Sequence, residues 1–353
     1  MKTWQKLKQH PSLWQQYFVR ERVIRAIRLF FEGQHFHEVE TPLLIRYPAA
    51  ESYLEVFETT LLDRNRNKTP LYLSTSPEVP LKKLLVAGIG NCFSVTKSFR
   101  NMETQSLTHN PEFTILEWYR VGAHYTEVMK DCEDLLLFIN TYLLRSLETS
   151  DGRTTKDLLY QDAHVNLSKP WERLTVAEAF LKWGKINFDD FLNRDQAKKI
   201  ALEKGYTVED HTTWEELFNQ IFLNEIEPHL GRGRPTILYE FPSAMGALAR
   251  KKDSDPRFAE RFEFYVEGLE LGDCYGELTD WKEQEARFEE ELRVIKSAGR
   301  TSYDYDHNFI EALKDGMPTT SGIAVGVDRL IMLFSNTKKI QDTLFFPIEE
   351  LLS

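Results

Sequence analysis

Residues 261–278 read Arg-Phe-Glu-Phe-Tyr-Val-Glu-Gly-Leu-Glu-Leu-Gly-Asp-Cys-Tyr-Gly-Glu-Leu, two strand-like runs meeting at one Glu-Gly pair. With Glu267-Gly268 as a two-residue hairpin turn, Tyr265 opposes Glu270 and Glu263 opposes Gly272. Further strand-like stretches lie at Val56–Leu62, Leu71–Ser74, Phe93–Arg100, Phe113–Tyr119 and Thr236–Phe241. They cluster together instead of alternating with helices, as βαβ units would. An antiparallel sheet with flanking helices, an α+β fold, is the expectation.

The helical text surrounds these strands. Val23, Ile24, Ile27, Phe30 and Phe31 fall at helical spacing, and Gly33 is expected to close that helix as its left-handed cap residue. Helices are also predicted from Thr126 to Arg145, Asp280 to Ser297 and Asn308 to Lys314, with a last one starting near Val327. Thr149 to Pro170 is polar and reads as a connection or hairpin excursion. Two capping boxes, Thr175 with Glu178 and Thr213 with Glu216, and a polar-started run at 195–205 mark a small helical insertion at about 171–230, which Pro228 helps to close.

At 353 residues the chain has a soft prior of two domains, at about 150 residues each. Its net charge of −11 argues against a long nucleic-acid partner. The basic stretches Lys82-Lys83, Lys97–Arg100, Arg232–Arg234 and Arg250–Lys252 suit a small polyanion better. No apolar run approaches the ~18–20 residues of a membrane span, and the basic start at Lys2–Lys8 leads into no apolar signal core. Three cysteines without a CxxC pair support neither a disulfide framework nor a zinc site. A soluble cytoplasmic protein is expected. No GxxxxGK phosphate loop, GxSxG elbow or HExxH pair occurs, and Gly88-Ile-Gly90 lacks a third glycine.

Three segments belong together: Phe30–Pro42, a helix ending in a strand that reaches a proline; Ser98-Phe-Arg100-Asn101 followed, after a loop, by His109-Asn-Pro-Glu-Phe113-Thr-Ile-Leu-Glu117-Trp-Tyr119; and Ser321-Gly-Ile-Ala-Val-Gly326-Val-Asp-Arg329-Leu, a glycine-punctuated strand feeding a helix. They resemble motifs 1, 2 and 3 of the class II aminoacyl-tRNA synthetases, in the lysyl subgroup, over residues 20 to 350. The resemblance implies a class II catalytic domain at 20–353, including the insertion, behind an N-terminal extension at 1–19. Lysyl members carry an anticodon-binding domain ahead of motif 1, where only about 20 residues stand here. In this the chain is similar to stand-alone members that join lysine or β-lysine to elongation factor P, as it is in Ser76-Pro-Glu78, Lys82–Gly88 and Gly316-Met-Pro.

A ligase that forms an aminoacyl-adenylate from ATP, with Mg²⁺, is therefore implied. Arg100 suits the α-phosphate and carboxylate, because its planar fork matches paired oxygens. Phe113 suits the adenine ring, and Arg329 at a helix start suits the γ-phosphate. Asn101, Glu103, His109, Asn110 and Gly326 complete the implied ATP site. Period-2 alternation puts Phe113, Glu117 and Tyr119 on one face. Glu263 and Glu270, one diagonal apart on the hairpin, suit Mg²⁺, a hard ion that takes few protein oxygens beside substrate phosphates. Ser76, Glu78, Glu117, Tyr119, Asp273, Tyr275 and Glu277 are the implied amino-acid positions. So many carboxylates call for a cationic substrate, with Glu277 on the side-chain ammonium. Strict alternation separates Glu270 from Glu277, and a bulge near Gly272 would reunite them.

The chain departs from the family at several positions. Met102 stands where a Glu is usual, with Glu103 beside it. The loop before His109 is one residue longer, and Thr108 replaces an Arg. Asp273-Cys274-Tyr275 replaces Asn-Gly-Phe, and the added charge of Asp273 suits a doubly cationic ligand. Alternatives to elongation factor P as acceptor are tRNA, another small molecule, or a silent paralogue that only binds ligand. A homodimer is implied through motif 1, with the Val23/Ile27/Phe30/Phe31 stripe serving either as contact or as core.

Overall fold

A computed structural model of the chain describes residues 2–146 and 156–353. Eight strands form the main sheet: β1 (His37–Glu38), β2 (Cys92–Phe99), β3 (Glu112–Val121), β4 (Glu172–Thr175), β5 (Thr236–Tyr239), β6 (Arg261–Val266), β7 (Leu269–Gly276) and β8 (Thr320–Gly326). Their spatial order is β1-β2-β3-β8-β7-β6-β5-β4. The six inner strands are antiparallel, as expected, but each edge adds a short parallel strand, β1 on β2 and β4 on β5. Long connections separate both parallel pairs, and parallel neighbours need such crossovers. The sheet is thus mixed. Glu58–Leu62 and Lys68–Leu73, with Leu44–Ile45, form a separate three-stranded sheet.

The helix Trp14–Glu32 carries the predicted apolar stripe on its inner side. Val23, Ile27, Phe30 and Phe31 pack in the main core with Val128, Cys132, Leu135 and Ile139 of the helix Tyr125–Ser146. Of the two roles open to the stripe, core is the one it fills. Burying each such side chain contributes roughly 1.5–3 kcal/mol. Gly33 is not left-handed (φ −65°). His35 takes that conformation instead (φ 61°), as the Phe36 N–H bonds back to the Phe31 carbonyl. The helix already starts at Trp14, ahead of residue 20, and the Thr3 N–H bonds the Glu350 carboxylate near the C-terminus.

Both capping boxes form. The helical segment has its own aromatic core, built by Phe180, Phe188, Phe191 and Phe218 and resting on Leu238 and Tyr265. Glu172–Thr175, read as part of the insertion, belongs to the sheet as β4. Within the polar connection, residues 157–166 form a small hairpin, while 147–155 lie outside the described residues. Among the described residues no helix is long and apolar enough to cross a membrane.

Candidate active site

One face of the sheet packs into the core, and the other floors a cavity of about 420 Å³. β8 alternates Ile323 and Val325 toward the core with Gly322, Ala324 and Gly326 toward the cavity. A row of partners crosses that floor: Glu117 on β3, Ala324 on β8, Asp273 on β7, Glu263 on β6. The next row holds Tyr119, Gly322, Tyr275 and Arg261. Small residues on the middle strand leave the space. A Cβ on Gly322 would lie 2.3 Å from the Tyr119 ring and 2.6 Å from Glu277.

The hairpin turns at Glu267-Gly268, both with positive φ as a two-residue turn of this kind requires (52° and 75°). Tyr265 faces Glu270 as predicted. Glu263 does not face Gly272, however. Its partner is Asp273, because the register shifts between Phe264 and Tyr265 and leaves Leu271 without a partner. This is the anticipated bulge, and it brings Glu270 and Glu277 to one face. Gly272 is squeezed there, since a Cβ would lie 2.8 Å from both the Ala324 carbonyl and Val325.

Asp328 of the third segment pairs with Arg20 of the first long helix and accepts the Thr114 N–H of β3 at 2.6 Å. At one end of the cavity the Arg100 guanidinium lies over the Phe113 ring, 5.2 Å from its centre, with Nε unpartnered. One ring face is thus covered by Arg100. Arg329 donates to the Glu270 carbonyl (2.8 Å) and to His109 Nε2 (2.7 Å). Arginine has no acceptor, so His109 is neutral with its proton on Nδ1, facing Ser106 Oγ at 2.9 Å. Burial and Arg329 hold its pKa down at about 4. Glu103, Asn110 and Gly326 also line the cavity. Asn101 does not, its backbone and side chain being turned onto Glu55 and Val56.

At the other end lie Ser76, Glu78, Glu117 and Tyr275, with Tyr119 and Glu277 around a small adjoining pocket of about 20 Å³. Tyr119 donates to Glu117 at 3.2 Å. Burial raises the Glu117 pKa, and the charge of Glu78 raises it further. Glu277 is 1% exposed and does not cap the helix Trp281–Ser297, because Asp280 does. Asp273 offers no free charge, contrary to expectation. Arg261 grips it and also Glu263, and Tyr275 donates to it at 2.7 Å.

Three of the basic stretches differ from the sequence reading. Lys82 is buried against Glu78 and Glu277, and Lys83 pairs with Asp306. Arg232, Arg250 and Lys252 pair with Glu267, Glu260 and Glu240.

Glu263 and Glu270 both face the cavity. Burial raises the Glu263 pKa, and the charge of Glu270 adds to this even though Arg261 opposes it. Two carboxylates that repel each other at one cavity wall fit a hard divalent ion that completes its shell with phosphate oxygens. Among the described residues no cluster of three or more metal-ligating side chains occurs.

Sequence reasoning missed Glu51, Tyr53 and Arg261, which line the cavity, and the role of Lys82. The spacing of Lys82, four residues after Glu78 in the helix Glu78–Val86, was the available signal.

A mixed sheet with an antiparallel centre thus floors a cavity that holds a guanidinium over an aromatic ring and a group of buried carboxylates. The sequence profile of tRNA synthetases class II (D, K and N) matches residues 2–350, and the chain belongs to that family. It is 32% identical to the lysine–tRNA ligase of Moorella thermoacetica over 96% of this chain and 66% of that protein. With the heat-inducible lysine–tRNA ligase of Escherichia coli K12 it shares 34% over 94% of this chain and 63% of that protein. The chain therefore spans just under two thirds of these ligases. It is 35% identical to the elongation factor P–(R)-beta-lysine ligase of Salmonella arizonae, over 98% of both chains.

Proposed function

We propose that this chain activates lysine or β-lysine with ATP and transfers it to a lysine of elongation factor P. The observation that carries the reading is the cluster of Glu78, Glu117 and Glu277, buried at the end of the cavity away from Arg100, which calls for a ligand with two ammonium groups. The match over 98% of both chains to an elongation factor P ligase supports the acceptor.

In the first step a carboxylate oxygen of the amino acid attacks the α-phosphorus, and pyrophosphate leaves. Arg100 holds the two reacting groups together and stabilises the charge that builds on the phosphoryl oxygens. Arg329 and neutral His109 hold the departing phosphates, and Phe113 the base. Glu263 and Glu270 would hold Mg²⁺, which when bound neutralises phosphate charge. In the second step an acceptor amine attacks the acyl carbon, AMP leaves and the amine gives up a proton.

A second reading, transfer to tRNA, is favoured by the lysine–tRNA ligase relatives. The retained Arg100, Glu263, Glu270 and Arg329 weigh against a silent paralogue. Incubation with ATP, radiolabelled lysine isomers and either elongation factor P or tRNA tests the proposal. Label on elongation factor P supports it, and label on tRNA alone overturns it.

We also infer a cytoplasmic homodimer. The buried stripe leaves Trp14 and Phe18 of the same helix exposed, with Trp14 and Tyr17 packed on Phe345, and this apolar face suits an isologous contact. A dimer in sedimentation at micromolar concentration is expected, and a monomer would contradict it.

A further inference from the structure

Lys82 is an unusual residue to find at the floor of a cation-binding pocket. Its side chain is 1% exposed, and its ammonium stands 2.5 Å from an oxygen of Glu78 and 2.5 Å from Oε2 of Glu277. The helix Glu78–Val86 sets it there, four residues after Glu78, while the β7 bulge delivers Glu277 from the opposite side. Lys82 donates a hydrogen bond to Glu78, and it meets Glu277 at Oε2. The other oxygen of Glu277, Oε1, lies toward Gly322, where the residue borders the small pocket beside Glu117 and Tyr119.

Glu78, Glu117 and Glu277 are all buried here, and Lys82 is the one ammonium that an ion pair joins to them among the described residues. Without it, Glu78 and Glu277 would face each other buried and unscreened, and one would take up a proton. A protonated Glu277 would serve an alkyl side chain as well as an ammonium. A fixed and ionised Glu277 accepts only a donor.

We propose that Lys82 is the specificity-determining positioning residue of this pocket: its ammonium, wedged between Glu78 and Glu277, holds Glu277 fixed and charged to receive the side-chain ammonium of the substrate. The proposal rests on the amino-acid-activation reading above and names the device that would make the pocket selective.

The test compares L-lysine with L-norleucine, its isostere without the ammonium, in ATP–pyrophosphate exchange by the full chain and by Lys82→Met. The wild type should strongly prefer lysine. In Lys82→Met the KM for lysine should rise and the kcat/KM ratio of lysine to norleucine should fall about tenfold or more, with the KM for ATP unchanged. A merely structural role would lower the active fraction for both amino acids and leave the ratio alone. A folded variant with the wild-type ratio, or a higher one, overturns the proposal. A wild type that does not prefer lysine overturns the activation reading and the proposal together. Should Lys82→Met fail to fold, wild-type protein labelled with ¹⁵N at lysine Nζ decides. The slowly exchanging resonance of the buried ammonium should shift on adding L-lysine and stay in place with L-norleucine, and no shift with L-lysine overturns the proposal.

Discussion

Arg261 grips Asp273 with two parallel hydrogen bonds, Nε to one carboxylate oxygen and Nη2 to the other, each 3.0 Å long. The same guanidinium reaches Glu263, two residues further along β6, at 2.6 Å, so one largely buried cation serves two largely buried anions. Removing it leaves both carboxylates without a cation, each with only a tyrosine hydroxyl to donate to it. Arg261→Met should therefore cost about 3–5 kcal/mol of stability in denaturant unfolding. A loss below about 1 kcal/mol would mean that water reaches these groups freely.

Arg100 stands on the Phe113 ring at the cavity wall, with its Nε unpartnered. Its contribution is charge directed at a transition state, worth roughly 3 kcal/mol by comparison with other preorganised donors. Arg100→Ala should reduce lysine-dependent pyrophosphate exchange at least ~10²-fold with little change in melting temperature. Exchange within tenfold of wild type would contradict the role.

Binding of a diamine should depend on pH in a defined direction. Burial and the charge of Glu78 lift Glu117 from 4.5 to about 8. A raised carboxylate pKa stabilises the ligand-free fold most below its unfolded value, and this contribution is lost as pH rises through the folded value. The free protein should lose stability from this group between about pH 4.5 and 8. An ammonium ligand needs it ionised, so lysine affinity should rise over the upper part of this range. Calorimetry at pH 7 in buffers of different ionisation enthalpy should show proton release on binding. A heat independent of buffer would contradict it.

Much of this site was legible because it rests on local pattern. The turn at Glu267-Gly268, the capping boxes and the shared face of Phe113, Glu117 and Tyr119 each follow from spacing along a few residues. The position of the bulge did not follow. A slip of one residue is decided by what Gly272 meets, namely Ala324 and Phe264 from other strands. Asp273 was read as free charge, because its partner Arg261 lies on the opposing strand in a register that only the bulge creates. Lys82 beside Lys83 read as a basic pair, although consecutive helical residues face different ways and these two meet different partners. Glu51 and Tyr53 come from an irregular segment that offers no periodicity to read.

The central claim is that a buried carboxylate selects a cationic amino acid, and Glu277→Gln tests it most directly, since the change keeps the shape and removes the charge. Pyrophosphate exchange with L-lysine, measured beside melting temperature on the same preparation, should fall by about 10²-fold or more in kcat/KM with the KM for ATP little changed. A Glu277→Gln protein that activates lysine as the wild type does, whatever its melting temperature, would contradict the assignment of this pocket.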